Sequence, residues 1–184
     1  MSSIASYYPC PVLTTPRLVL RQLGLLDAAA IYQLHSDEQV IRYTNRNAAQ
    51  SLADAQHFVK LIIRGCKKDE WLYWAITLPE TPAAALGTIC LWNFSPDHQT
   101  AELGYELLPR FQGHGLMAEA VHRVLAFARE TLHLQRVSAC VQAGNVPSIR
   151  VLQRQGFTFS RYLSAEEKPA EEQAVAVGVY ELVF

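Results

Sequence analysis

The sequence has little of what marks several large classes of protein. It carries 16 Lys and Arg against 17 Asp and Glu, a formal net charge of -1, whereas a dedicated nucleic-acid binder normally has a basic excess. No apolar run approaches the roughly 20 residues that a membrane-spanning helix needs. Residues 1–11 lack the basic flank and long apolar stretch of a signal peptide. We therefore expect a cytoplasmic protein with neither a nucleic-acid nor a membrane partner.

Cysteine is also sparse and is not arranged for metal binding or for redox chemistry. The four cysteines are far apart and form no CxxC pair. Because Cys66, Cys90 and Cys140 lie in apolar-patterned segments, we expect them to be buried, reduced thiols. His98, His122 and His133 show no metal-ligand spacing and no HExxH motif. The sequence therefore predicts no metal site.

The remaining sequence has the composition of a globular domain, since 50% of its 184 residues are apolar and 18% are charged. Period-two and period-3.6 patterns mix without strict alternation, which favours a mixed sheet covered by helices. About four helices are expected: one after Asp27, one behind a Ser51–Asp54 capping box, one opening at Gly113 and one near residues 145–155. The segment 37–49 is predicted to be irregular. Seven segments read as strands: Arg17–Leu23, Trp71–Thr77, Leu86–Phe94, Ala101–Leu108, Arg136–Val141, Phe157–Phe159 and Val175–Phe184.

One stretch points to chemistry: a strand ending near Leu108 runs through a turn with Gly113 and Gly115 into the long helix. Free N–H groups and the dipole at a helix start attract anions. Glycines let the backbone approach a bulky phosphate group without an intervening side chain. This pattern predicts a site for a diphosphate-bearing cofactor, with an ordinary glycine turn as the alternative.

The same turn also matches a dinucleotide fingerprint, because residues 113–118 read G-x-G-x-x-A. That fingerprint requires a parallel βαβ unit and an acidic residue about 20 positions further on. Here an antiparallel meander precedes the turn, and the next strand ends at residues 141–143 without a carboxylate. A nicotinamide enzyme is therefore disfavoured.

Residues 110–115, Arg-Phe-Gln-Gly-His-Gly, resemble the R/Q-x-x-G-x-G/A signature of the GNAT superfamily of acetyl-CoA-dependent N-acetyltransferases. Four further segments, in order and at family spacing, resemble its RimJ/RimL-type branch. They are Thr15–Arg21, the pair Trp74–Ile76 and Leu86–Ile89, Ala101–Tyr105, and Asn145–Leu152 with Gly156–Phe157.

The resemblance implies one GNAT domain over residues 14–184, preceded by an N-terminal extension over residues 1–13. The expected fold is α/β of the mixed α+β kind, with a mostly antiparallel sheet of about seven strands and about four helices. The fourth and fifth strands are expected to splay, and the gap would admit the thioester of acetyl-CoA.

The resemblance also implies which residues hold acetyl-CoA. The diphosphate would lie on the turn, and the pantetheine arm would run along Leu107 and Leu108. Asn145 would bond that arm, and Ser148 would lie beside the sulfur. The residues implied for the turn are Gln112, Gly113, His114, Gly115, Leu116 and Met117.

Two acids on one strand are candidates for the base that deprotonates the amine. Glu102, Gly104 and Glu106 alternate along the strand and therefore share a face. Glu102 resembles the family position that serves as base in some relatives. Glu106 is the second candidate, and a structural or solvated role for both is the third. The N–H of Leu108 is the expected oxyanion donor.

Ser148 is the candidate proton donor to the leaving thiolate. Many GNAT enzymes place a tyrosine seven residues after the position of Asn145, but here that residue is Leu152. Ser148 resembles the serine that takes this task in the RimJ/RimL-type branch. The alternative is a serine that merely caps the helix.

Several other side chains invite a functional interpretation, although a structural one is favoured for each. His114 is expected to face solvent, and Trp71, Trp74 and Trp92 are expected in the core and strands rather than as acceptor-pocket walls. The remaining candidates for the acceptor side are Arg42, Tyr43, Asn45 and Arg46 in one loop, and Glu166, Glu167, Glu171 and Glu172 in another.

The resulting expectation is an enzyme that transfers an acetyl group from acetyl-CoA to a primary amine by direct attack in a ternary complex. The acceptor would be a protein N-terminal α-amine or a small-molecule amine. The protein would be a monomer or a homodimer. A non-catalytic GNAT-like module that binds acyl-CoA is the alternative.

Overall fold

The computed structural model describes residues 7–44, 46–168 and 175–184. Eight strands are found in this part of the chain: β1 (Leu13–Thr14), β2 (Val19–Gln22), β3 (Leu72–Leu78), β4 (Thr81–Trp92), β5 (Thr100–Leu107), β6 (Arg136–Gln142), β7 (Thr158–Tyr162) and β8 (Val177–Val183). The α-helices are α1 (Ala28–Ser36), α2 (Glu38–Ile41), α3 (Leu52–Cys66), α4 (Leu116–Glu130) and α5 (Val146–Arg154).

The strands form one sheet in the order β1-β2-β3-β4-β5-β6-β8-β7. Neighbouring strands are antiparallel except β5 and β6, which run parallel. These two pair only from Thr100–Arg136 to Glu102–Ser138. Beyond Glu102 they separate, so the far half of β5 has an open edge. The predicted mixed fold and the splay are thereby confirmed.

The structure contains more elements than the pattern predicted. The extra strand is the two-residue β1, which pairs with β2. The extra helix is α2, inside the segment predicted to be irregular, where the Asp37 side chain accepts from the N–H groups of Gln39 and Val40. Helix α4 begins at Leu116, because Gly113 and Gly115 both have a positive φ and form the turn before it.

Helix α3 shows why the pattern was readable. Ser51 and Asp54 form the predicted capping box, in which each side chain bonds the other's backbone N–H. Ala55, Val59 and Ile62 then bury one stripe of the helix. The helix packs on α1 and β3, which places its Phe58 against the sheet near the middle of β5.

The described end of the predicted N-terminal extension packs against the domain. Cys10 is buried, and its sulfur accepts from the N–H of Tyr73 (3.4 Å). The indole of Trp74 donates to the carbonyl of Pro11 (2.8 Å). Nothing in the described segments is a helix long and apolar enough to cross a membrane.

The expectation that three cysteines are buried is correct only in part. Cys66 is buried, Cys90 is half-buried and Cys140 is exposed. On β6 the side chains of Val137, Ala139 and Val141 are buried, and Cys140 lies on the opposite face of the strand. An expectation based on the apolar character of the whole segment overlooks this alternation.

Candidate active site

Two cavities meet at the middle of β5. The larger, of about 590 Å³, lies in the splay between β5 and β6 and extends to the start of α4. The smaller, of about 280 Å³, lies between α3 and the sheet. Gly104, Tyr105 and Glu106 line both cavities. We call them the cofactor cavity and the aromatic cavity, since Phe58, Trp71, Tyr73 and Trp92 line the smaller one.

The turn before α4 forms one end of the cofactor cavity. Gly113 and Gly115 have φ values of 78° and 77°, which L side chains rarely adopt. The first backbone bond of the helix runs from the N–H of Glu119 to the carbonyl of Gly115 (3.1 Å). The preceding N–H groups of Leu116 to Ala118 have no intrahelical acceptor and are available to an anion.

Side chains hold this turn in place from behind. Nη1 of Arg17 donates to the carbonyl of His114 (2.9 Å), and Nε of Arg17 donates to Glu119 Oε2 (2.6 Å). The Thr15 hydroxyl donates to the other oxygen of Glu119 (2.5 Å). A segment more than 95 residues away in the sequence therefore fixes the backbone path of the turn.

Leu107 and Leu108 differ in a way that corrects the expected oxyanion donor. The N–H of Leu108 donates to the carbonyl of Leu86 on β4 (3.0 Å), so it is not available to a substrate. In an antiparallel ladder alternate residues face the same neighbour. The backbone groups of Leu107 therefore face the open edge, where Nε2 of Gln112 donates to its carbonyl (2.8 Å).

Asn145 and Ser148 stand at the start of α5, on the β6 side of the splay. Asn145 is the N-cap, and its Oδ1 accepts from the N–H of Ser148 (3.2 Å). Ser148 is therefore not the cap, and its hydroxyl lies 2.8 Å from the Tyr105 hydroxyl. Burial raises the pKa of Tyr105 to about 12, so its phenol stays protonated at neutral pH.

Eight of the ten predicted cofactor-binding residues line the cofactor cavity, and Leu108 and His114 do not. Those that do are Leu107, Gln112, Gly113, Gly115, Leu116, Met117, Asn145 and Ser148. Arg150 and Arg154, which the sequence analysis missed, add two cations to the same wall. Their spacing of four residues puts them on one face of α5, and that signal was present in the sequence.

Glu102 lies at the base of the splay and lines neither cavity. The neighbouring Asn93 side chain and the Cys140 thiol, which lines the cofactor cavity, act to lower the pKa of its carboxyl. Burial outweighs these two neighbours and raises the pKa of Glu102 above its usual value. Burial, together with Glu102, also raises the pKa of Cys140 to about 12, so this thiol stays protonated.

Glu106 has a different environment, although it shares its strand and face with Glu102. Nη1 of Arg46 donates to its Oε1 (2.7 Å), and Nε2 of His35 lies 3.2 Å from Oε2. Arg46 also contacts His35 directly. Burial alone would raise the pKa of Glu106, but the adjoining His35 and the Arg46 guanidinium outweigh it and lower that pKa.

The tryptophans divide between core and cavity. Trp74 is fully buried in the core, as expected. Trp71 and Trp92 line the aromatic cavity, and Trp92 stays 41% exposed at its rim. Trp71 packs against the core and Trp92 is the last residue of β4, so the structural interpretation is also correct for these two, which line the cavity in addition.

Other candidates lie outside the cavities or outside the described residues. His114 is exposed, as expected. Glu167 pairs with Arg161 (2.7 Å), while Asn45, Glu171 and Glu172 lie outside the described ranges. Among the residues that the structure does describe, no group of three or more His, Cys, Asp or Glu is placed to hold a metal ion.

An open strand edge beside a turn with free N–H groups is an arrangement that can hold a long phosphorylated cofactor across a splayed sheet. Residues 17–158 match the acetyltransferase (GNAT) domain family. This match spans most of the chain, and the chain belongs to the GNAT family. It is an acyl-CoA-dependent acetyltransferase, and acetyl-CoA is its acetyl donor.

Individual relatives agree with this assignment. The chain is 31% identical over 147 residues to the uncharacterized N-acetyltransferase YoaA of Bacillus subtilis (strain 168), covering 80% of this chain and 82% of that protein. A GNAT-family acetyltransferase from Bacillus anthracis superposes with a TM-score of 0.81 at 21% identity, covering 94% and 98% of the two chains. RimL, a ribosomal L7/L12 α-N-protein acetyltransferase solved with coenzyme A, superposes with a TM-score of 0.81 at 18% identity, covering 95% and 98%.

Proposed function

We propose that this acetyltransferase transfers acetyl from acetyl-CoA directly to a primary amine in a ternary complex. The observation that carries the proposal is that the two cavities share Gly104, Tyr105 and Glu106. A thioester in the larger cavity and an amine in the smaller one would therefore meet on β5. Positioning of this kind is worth up to about 7–11 kcal/mol of activation free energy.

The donor half of the proposal follows from the backbone of the turn. The diphosphate lies on the N–H groups of residues 113–118, and Arg150 and Arg154 add positive charge nearby. The pantetheine arm bonds the open edge of β5 as an added strand would. The N–H of Leu107, rather than that of Leu108, is the donor to the oxyanion.

The base in this proposal is Glu102, acting through water. Its raised pKa makes it a better proton acceptor than an ordinary carboxylate. Glu106 remains the alternative because it lines both cavities, but its lowered pKa makes it a weak base. The amine must be deprotonated in either case, since only the neutral form attacks the thioester.

Ser148 protonates the departing thiolate, and Tyr105 stands behind it at 2.8 Å as the source of the replacement proton. A thiol has an ordinary pKa of about 8.5, so this assistance is helpful rather than essential. Asn145 holds Ser148 by capping α5.

The acceptor is either a protein N-terminal α-amine or a small-molecule amine. The structural likeness to RimL supports the first, and the limited size of the aromatic cavity supports the second. The test is release of free CoA thiol from acetyl-CoA with a panel of amines, amino acids and peptides. Stoichiometric thiol release and acetylated product support the proposal. Tight acetyl-CoA binding without transfer to any acceptor would instead support the non-catalytic module.

A further inference from the structure

The aromatic cavity restricts the chemistry of the acceptor. Its volume of about 280 Å³ is at the small end of ligand pockets. Phe58 comes from α3, Tyr73 from β3 and Trp92 from β4, and Trp71 immediately precedes β3. Three elements therefore converge their rings on one space beside the reacting strand.

The polar groups of two of these rings, Trp71 and Tyr73, are already bonded within the protein. The indole N–H of Trp71 donates to the carbonyl of Ile62 (2.9 Å). The Tyr73 hydroxyl bonds Thr88 Oγ1 (3.2 Å). What these two side chains offer to a ligand is therefore their apolar ring surface, which favours an apolar or aromatic body.

The charges on the lining are also paired with each other. Arg46 and Glu106 are the charged residues on the described wall, and they are joined at 2.7 Å. The Arg46 guanidinium lies over the Phe58 ring, 5.1 Å from its centroid. The two charges on the described lining offset each other, so the lining has no net charge to attract a carboxylate or a second ammonium group.

The position of Gly104 between the two cavities determines the orientation of an amine in the aromatic cavity, with its amino group toward the cofactor cavity. Gly104 lines both cavities, and a Cβ at this position would lie 3.1 Å from Cys90 Sγ on the aromatic-cavity side. The absence of a side chain keeps the passage open at the point where an amine must reach the thioester. An apolar environment also lowers the pKa of a bound ammonium group, which favours the neutral nucleophile.

We propose that the acceptor is a small monoamine whose amino group is carried on an aromatic or branched apolar body. The body occupies the aromatic cavity, and the nitrogen lies at Gly104. This assignment rests on the proposed function and narrows it: polyamines, amino acids and polar sugar amines are poor acceptors.

Matched amines test the assignment directly. Phenylethylamine and phenylalanine differ by one carboxylate, and hexylamine and 1,5-diaminopentane differ mainly by a second ammonium group. We expect kcat/KM to be at least tenfold higher for the monoamine in each pair. Equal or better rates with phenylalanine or the diamine would overturn the assignment. A short peptide with N-terminal Ser turned over faster than phenylethylamine would overturn it as well.

Calorimetry of the complex with CoA separates this assignment from the proposed function. Phenylethylamine that binds this complex but is not acetylated from acetyl-CoA would contradict the proposed direct transfer, and only the preference of the aromatic cavity for an apolar monoamine would remain. Acetylation of polar amines but not of phenylethylamine would support acetyl transfer and contradict the assignment of an apolar acceptor. An absence of both binding and transfer with every amine would overturn the two together.

A variant at the rim links the preference to the cavity. Trp92→Ala removes one half-exposed ring, and we expect KM for phenylethylamine to rise about tenfold while the Kd of acetyl-CoA stays unchanged. Leu26→Ala is the control, because Leu26 is 95% exposed and lies outside both cavities. An unchanged KM for phenylethylamine in Trp92→Ala would contradict the assignment.

Discussion

The two cavities on β5 differ in the chemical groups that line them. The cofactor cavity includes main chain at the turn of residues 113–115, at the start of α4 and along the open edge of β5. The aromatic cavity is bounded by side chains from α3, β3 and β4. Backbone binding depends on the path of the chain, whereas a side-chain wall changes with each substitution. If the proposed function holds, donor binding depends on the backbone path of the fold and acceptor choice depends on a few side chains.

The largest expected effect comes from placing a negative charge on the turn. Gly113 has open space where a Cβ would stand, and both Asp and Asn tolerate its positive φ better than other residues. Repulsion between one carboxylate and the diphosphate is worth about 4 kcal/mol at close range. We therefore expect Gly113→Asp to raise the Kd of acetyl-CoA by about 1000-fold, measured by calorimetry.

Gly113→Asn is the matched control, because it has nearly the same shape without the charge. We expect the Kd of acetyl-CoA to rise much less in Gly113→Asn than in Gly113→Asp. The difference between the Kd values of the two variants should become smaller as salt is added. Equal affinities of the Asp and Asn variants would place the diphosphate away from this turn.

The second prediction concerns the base. Glu102→Gln should lower kcat about 100-fold with little change in the Kd of acetyl-CoA, because a positioned base typically gives a factor of this order. Since the pKa of Glu102 is raised above 4.5, wild-type activity should fall as pH drops through that raised value. The variant should lack this limb, as a pH–rate profile would reveal.

The Glu102→Gln variant should be more stable than the wild type although it is less active. A carboxyl whose pKa is raised by folding destabilises the fold at pH values where it is ionised. Neutral Gln removes that cost, so Glu102→Gln should have a higher Tm than the wild type at pH 7. A lower Tm together with full activity would assign Glu102 a structural role instead.

The third prediction contrasts Glu106 with Glu102. Glu106→Gln removes the charge that pairs with Arg46 beside His35, and loss of one partner from a buried pair should cost roughly 2–3 kcal/mol of unfolding free energy at pH 7. Because the pKa of Glu106 is lowered from 4.5, its stabilisation is present above that value and is lost as pH falls further. Denaturant titrations should therefore show the wild type and the variant converging in stability below pH 4.5.

The smallest effect is expected at the leaving group. Ser148→Ala should lower kcat by about tenfold or less, since a thiolate departs without strong assistance. Tyr105→Phe should have a comparable effect, and the double variant should lose little more than either single one if the two hydroxyls act in series. If the fold-reduction in kcat of the double variant, measured by steady-state kinetics, equals the product of the two single reductions, the hydroxyls have independent roles.

The parts that were predictable from the sequence are those fixed by local backbone requirements. The capping box at Ser51, the positive-φ glycine turn at Gly113 and Gly115, and the alternation along β5 follow from neighbours in the chain. The tie from Arg17 to His114 and the Tyr105–Ser148 contact join segments 97 and 43 residues apart, and periodicity carries no record of such pairs.

The same distinction explains the errors. Cys140 was predicted to be buried because its segment is apolar, yet it lies on the face of β6 that points away from the core. Leu108 was predicted as the oxyanion donor, yet the register with Leu86 on β4 uses its N–H. Glu102 and Glu106 occupy equivalent positions in the alternating pattern of β5. Arg46 and His35, which come from another part of the chain, lower the pKa of Glu106, whereas burial raises the pKa of Glu102.

The central claim is that main-chain N–H groups of residues 113–118 bind the diphosphate of acetyl-CoA. Amide chemical shifts recorded by NMR during an acetyl-CoA titration test it most directly. We predict that the largest downfield changes in amide chemical shift occur at Gly113, Gly115 and Leu116 to Ala118. Pantetheine, which lacks the diphosphate, should leave the chemical shifts of these amides unchanged. Saturable binding that leaves them unshifted would contradict it.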